Sequence, residues 1–122
     1  MGKNKLLESK GNAVGRGPLK QHEHMPDHGN QQAKATEARL GPFVWDIDGE
    51  FVGLDLVQRF PCELDNGAMY HGQWNKDGLR EGRGTQVWQD GSKYVGYWKN
   101  DQASRKGRLV HADGDVYEGD WL

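Results

Sequence analysis

Cysteine is almost missing from this chain: Cys62 is the only one in 122 residues. That excludes a disulfide within the chain and any zinc site built from several thiolates. A lone thiol suits a reducing compartment, and its plainest reading is a half-buried side chain without chemistry. Long apolar runs are missing too. None approaches the ~18 residues of a membrane-spanning helix. The opening MGKNKLLESK has no apolar h-region, so no signal peptide is expected. Hydrophobic residues make up 34%, against about 45–50% in ordinary globular chains, a figure that also counts glycine. Residues 1–40 contain no aromatic side chain at all. A large three-dimensional core is therefore excluded. A thin, turn-rich sheet with a disordered stretch fits the composition.

Net charge is low, at −2, but it is unevenly spread. Residues 1–40 carry seven Lys/Arg against four acids, which leaves a basic arm on an acidic body. The arm, with Lys3, Lys5, Lys10, Arg16 and Lys20 in its first half, suits an acidic surface. The body is a poor phosphate binder, and no nucleic-acid partner is expected. Residues 1–40 cannot bury enough apolar surface to offset their ordering entropy, so alone they are expected to be disordered. NQQAKATEARL is the exception, able to form a helical turn or two when docked.

What is abundant is glycine, 18 residues, and it recurs in a fixed phrase. NGAMYHGQW, DGSKYVGYW and DGDVYEGDW begin at Asn66, Asp90 and Asp113. Their tyrosines, Tyr70, Tyr94 and Tyr117, are spaced as in a stacked array. Each phrase opens on an Asn/Asp-Gly pair ending at Gly67, Gly91 or Gly114, and a type I′ turn is expected there. An extended strand comes next. Residues two apart share a face, so Tyr70, Gly72 and Trp74 point one way, as do Tyr94, Gly96 and Trp98, and Tyr117, Gly119 and Trp121. The glycine leaves a gap between two rings that a neighbouring unit's ring can fill. After each tryptophan comes a polar stretch, NKDGLREG or KNDQASRK, read as a solvent loop. A second strand then begins near Gly84 or Gly107, each six residues before the next Asp-Gly. The unit is thus an antiparallel hairpin of about 23 residues, within the usual range of repeat periods.

The remaining segment, residues 41–65, is the most apolar. It reads as a capping hairpin, or degenerate repeat, turning at Asp48-Gly49 and covering the first edge of the hairpin array. The expected organisation is an arm at 1–40, a cap at 41–65 and repeats at 66–122, the last divided as 66–89, 90–112 and a partial 113–122. Such an array ends on an open strand edge, which a partner or further chain must cover.

Tyr-x-Gly-x-Trp, a Gly-rich loop and Gly-x-x-x-x-x-Asp-Gly together resemble the MORN repeat. The resemblance spans residues 66–122 as two full units and the first strand of a third. It implies an elongated all-β antiparallel sheet of stacked hairpins with no catalysis of its own and no cofactor. It further implies a scaffold, in the cytoplasm, on the cytoskeleton and above all in cilia, with tubulin or axonemal proteins as partners. Other MORN arrays sit at membrane junctions or form accessory segments of lipid kinases, so a module binding acidic phospholipids is the alternative. One departure stands out: Gly82-Arg83-Gly84 keeps the family's Gly-x-Gly, whereas Arg105-Lys106-Gly107 has lost the first glycine. An altered local twist is expected there.

Other chemistry is weakly signalled. His22, His24 and His28, interleaved with Glu23 and Asp27, form a faint zinc or copper pattern, more simply a solvated polar arm. Gly2 raises N-myristoylation, but the motif's sixth position holds Leu6 in place of Ser or Thr. GLREGRG lacks the Gly-Lys-Ser/Thr ending of a phosphate loop. The best functional candidates are the aromatics Tyr70, Trp74, Trp88, Tyr94, Trp98, Tyr117 and Trp121. A thin sheet is expected to leave some of them exposed as anchors for a partner.

Overall fold

The structure, a computed structural model, describes residues 20–27 and 30–121. Eight strands among these residues form one antiparallel sheet. They are β1 (Lys20–Gln21), β2 (Val57–Gln58), β3 (Cys62–Glu63), β4 (Met69–Trp74), β5 (Arg80–Val87), β6 (Lys93–Lys99), β7 (Gln102–Val110) and β8 (Val116–Trp121). Strands β4 to β8 pair in chain order, each with the next, as expected of stacked hairpins. The outer edge of β4 is shared: β2 pairs with its Trp74 end, β3 with its Tyr70 end, and β1 lies outside β3.

The wide turns obey one rule, though not the one expected. Leu64 N–H donates to Ala68 O (2.8 Å) and Gly67 N–H to Leu64 O (3.0 Å), which makes a three-residue loop. Trp88–Ser92 and His111–Asp115 repeat it. Only the glycines are left-handed, with φ of +84°, +94° and +94° at Gly67, Gly91 and Gly114. Each is therefore a type I turn closed by a glycine bulge, and the type I′ expectation is corrected. The Asn/Asp acts through its side chain. Asn66, Asp90 and Asp113 Oδ1 each accept the N–H two residues on, at 2.9 Å. This bond holds the Asp113 carboxyl below its usual pKa.

The expected solvent loop KNDQASRK is a two-residue turn. Lys99 pairs with Gln102, and Asn100 and Asp101 both take positive φ, +48° and +72°. This is the I′ geometry, found at the other end of the hairpin. The first unit's loop is longer, running from Asn75 to Leu79 with Gly78 left-handed at φ +80°.

The segment before the repeats departs most from expectation. Asp48-Gly49 opens a single 3-10 turn, Asp48–Phe51, and no hairpin forms about it. The carboxyls of Asp46, Asp48 and Glu50 reach back across the sheet in place of a returning strand. The described part of the arm carries a short strand and a helix. Helix α1 (Gln31–Leu40) is capped by Asn30, whose Oδ1 accepts Ala33 N–H at 2.9 Å, and ends at Gly41. It docks on the chain's own sheet. Asn30 Nδ2 donates to Ala112 O, Thr36 Oγ1 donates to Gly114 O (2.9 Å), and Glu37 pairs with Lys93 (2.9 Å). Residues 1–19 and 28–29 of the arm expected to be disordered lie outside the described residues.

Candidate protein-binding surface

A row of glycines crosses the sheet: Gly72, Gly84, Gly96, Gly107 and Gly119 stand directly opposite one another on successive strands. The absent side chains open a trough on one face, and the tyrosines lie down in it. A Cβ built at Gly84 would meet Tyr70 Oη at 2.2 Å, and one at Gly107 would meet Tyr94 Oη at 2.0 Å. The tyrosine hydroxyls then donate to the carbonyl three residues on. Tyr70 reaches Gln73 O (2.8 Å), Tyr94 reaches Tyr97 O (3.1 Å) and Tyr117 reaches Asp120 O (3.4 Å).

Over this trough the rings form one zigzag: Trp74–Tyr70–Trp98–Tyr94–Trp121–Tyr117. Centroids are 5.0 to 5.4 Å apart and planes nearly perpendicular, the edge-to-face arrangement aromatic quadrupoles favour. Tyr70 and Tyr94 are each gripped by two tryptophans, one from the next unit; among the described residues Tyr117 has one. Exposure tracks this: Tyr70 and Tyr94 are fully buried, Tyr117 is half-buried.

Most of the rings expected to anchor a partner are spent on this ladder, with Tyr117 left half-buried at its end. Tyr70, Trp74, Trp88, Tyr94, Trp98 and Trp121 are all buried within the chain, with exposures of 0 to 6%. A single layer hides them because each ring lies flat in a glycine trough and against its neighbours. Burial also pushes the Tyr70 and Tyr94 hydroxyls well above their usual pKa, so both stay neutral donors. Arg80 joins this face, stacked 4.4 Å from the Trp98 ring and bonded to Asp101 Oδ1 (2.6 Å), Asp101 O (2.8 Å) and Gln86 Oε1. It ties the loop of one unit to the turn of the next.

The opposite face carries Arg83 and Thr85 on β5, Lys93 and Tyr97 on β6, and Lys106 and Arg108 on β7. Residues 43–51 lie across it as a strap. Phe51 stacks on Tyr97 (5.4 Å, 6°) and Trp45 meets the same ring edge-on (5.3 Å). Ile47 N–H donates to Tyr97 Oη (3.1 Å), which donates to Asp48 Oδ1 (2.8 Å). Three carboxylates meet three cations: Asp48 binds Arg83 through both oxygens, Asp46 pairs with Lys106 (3.0 Å) and Glu50 with Arg105 (2.8 Å). Arg83 holds the Asp48 carboxyl below its usual pKa. The sequence patterns above name Asp48, Arg83, Arg105 and Lys106 only as parts of a turn or a repeat, and assign none of them to this contact. A signal was present: Tyr97 faces away from the ladder and needs a cover, and WDIDGEF alternates acids as RKGR clusters bases.

The other expected sites are more scattered. Lys20 is exposed on β1; Lys3, Lys5, Lys10 and Arg16 lie outside the described residues. His22 Nε2 faces Glu63 Oε1 at 3.4 Å, His24 is exposed and His28 lies outside the described residues. Among the described residues no three His, Cys, Asp or Glu gather as metal ligands. Cys62 is 1% exposed, burial raises its pKa, and its thiol donates to Phe60 O (3.1 Å). Arg105, in place of the missing glycine, keeps a left-handed backbone at φ +64°; the equivalent Gly82 stands at +88°. The substitution strains the strand and leaves the fold unchanged. The large apolar side chains left in solvent include Val52, Leu54, Val57 and Phe60, all on the segment leading to the first edge.

A sheet of in-register hairpins, each handing a tryptophan to the unit before it, defines a stacked-repeat binding module. The comparison with known families is specific: residues 70–93 and 94–116 match the MORN repeat, so the chain carries two such repeats. Such repeats are protein- or membrane-binding scaffold modules, generally without enzymatic activity. No curated protein matches the chain.

Proposed function

We propose that this chain is a non-enzymatic structural protein of a ciliary axoneme or another microtubule-based assembly, in the cytoplasm. The observation that carries this reading is the ring ladder, which spends the aromatic residues on rigidity and leaves a firm slab. Contacts with partners then fall to the periphery. Leu54, Val57 and Phe60 offer exposed apolar anchors along the first edge. The basic arm, of which Lys20 stands on β1, supplies charge for an acidic surface such as the tubulin tails.

Microtubule co-sedimentation tests it. Binding is expected to weaken as salt rises and to fall on deletion of residues 1–19. No binding at low salt would end the microtubule assignment. The arm also favours the alternative, a module that holds acidic phospholipid as the accessory segment of a lipid kinase in a longer chain. Flotation with anionic vesicles that depends on residues 1–19 would select it.

A further inference from the structure

The strapped face of the sheet already holds a ligand supplied by its own chain. Tyr97 presents a ring, and Arg83, Lys106 and Arg105 present three cations around it. Onto these fit rings at Trp45 and Phe51 and carboxylates on alternate residues, Asp46, Asp48 and Glu50. The fit is specific, but much of it stays wet. The Arg83–Asp48 and Arg105–Glu50 side chains are 45 to 56% exposed, so water and salt screen these pairs.

The strap starts at Gly41, whose carbonyl accepts Arg108 Nη1 (2.6 Å), and ends at Gly53. Gly41 and Gly53 bracket it in left-handed conformations, φ +76° and +88°, and a Cβ at either would meet nothing within 4 Å. Beyond Gly53 the chain is exposed through Asp55.

We propose that this face is a recognition site for an acidic, aromatic segment of a partner protein, with residues 43–51 as its resident pseudo-ligand. The segment carries carboxylates on alternate residues with aromatic side chains on either side, and it binds by displacing the strap. This rests on the reading of the array as a partner-binding scaffold and names the chemistry of one partner. Occupancy by the strap lowers the apparent affinity for any competitor by the fraction of time the site stands open. Weak competitors are thereby rejected and a closely matching segment is admitted.

The test uses the full chain and, as probe, a synthetic peptide of residues 41–56 monitored by fluorescence anisotropy. Two variants loosen the strap: a triple change D46N/D48N/E50Q, and Phe51→Ala, which leaves the charges in place. Thermal melts check that the hairpin array persists in both. The peptide is expected to bind each loosened chain on the order of tenfold more tightly than the unaltered chain. Binding should weaken as sodium chloride rises from about 50 to about 500 mM. It should be lost when Arg83→Ala is added to Phe51→Ala, or when the peptide's three acids are neutralised. In the unaltered chain, excess peptide should speed hydrogen exchange at amides 43–51. Equal binding to all three chains, no binding to Phe51→Ala, or unchanged exchange at 43–51 under saturating peptide would each overturn the proposal. If those results come with microtubule binding intact, only this site is lost; if that binding is absent too, the scaffold reading falls with it.

Discussion

The two faces of the sheet are closed in opposite ways. One is closed by the repeat itself: tyrosine, glycine and tryptophan from neighbouring units interlock, and adding a unit extends the seal. The other is closed by a strap from the N-terminal half, which belongs to no repeat and meets the sheet through ring contacts and exposed ion pairs. The ladder face draws on desolvated aromatic area, which salt and pH barely touch. The strap face combines a buried Tyr97 ring, packed by Trp45 and Phe51, with Coulombic pairs in water, which salt and acid weaken. The first behaves as framework and the second as a cover.

This contrast can be broken most sharply at Tyr94. Tyr94→Ala removes a fully buried ring held between Trp98 and Trp121. A loss of about 3–5 kcal/mol in unfolding free energy is expected, read from urea denaturation. Gly107→Ala comes next. Its Cβ would fall 2.0 Å from Tyr94 Oη, and that hydroxyl is tethered to Tyr97 O. A cost of about 1–3 kcal/mol is expected, with the melting temperature lowered to match. An undisturbed melt would mean that the tyrosines do not lie in the glycine trough.

Arg105→Gly should move stability the other way. It relieves a left-handed arginine, worth about 1 kcal/mol, less whatever the exposed pair with Glu50 contributes. A gain of roughly 0.5–1 kcal/mol in the same denaturation experiment is the expected result.

The smallest effects belong to the strap. Glu50→Gln should change global stability by less than about 0.5 kcal/mol while speeding hydrogen exchange within residues 43–51. Acid should act alike. The folded-state pKa of Asp48 lies below its unfolded value, so its contribution is present above the unfolded pKa and fades as pH falls through the folded one. Strap amides should therefore lose protection below about pH 4, while the ladder tyrosines keep their near-ultraviolet signal. Equal acid sensitivity on both faces would erase the distinction.

The ladder face is legible in the sequence because its logic is local. Tyr70, Gly72 and Trp74 are two residues apart, and period-two geometry puts them on one side without further knowledge. Their full burial is not legible, because it depends on an opposing glycine, Gly84, that the spacing does not reveal as a neighbour. The turn type is ambiguous because one bulged glycine separates a three-residue loop from a two-residue loop with the same Asn/Asp-Gly signature. The alternating acids Asp46, Asp48 and Glu50 mark the strap as a charged segment but do not say what it meets. Its hydrogen bonds to Arg83, Tyr97, Arg105 and Lys106 join residues 35 to 62 positions apart, a pairing that no local pattern specifies.

The zigzag of rings also has a mechanical consequence. Tyr70 and Tyr94 each sit between a tryptophan of their own hairpin and one of the next, so tension along the array runs through the interlocked side chains in series. Separating two hairpins would mean withdrawing a tyrosine from between two indoles while shearing a full run of backbone bonds. Under load, the chain would then yield first at its cover and last at its spine.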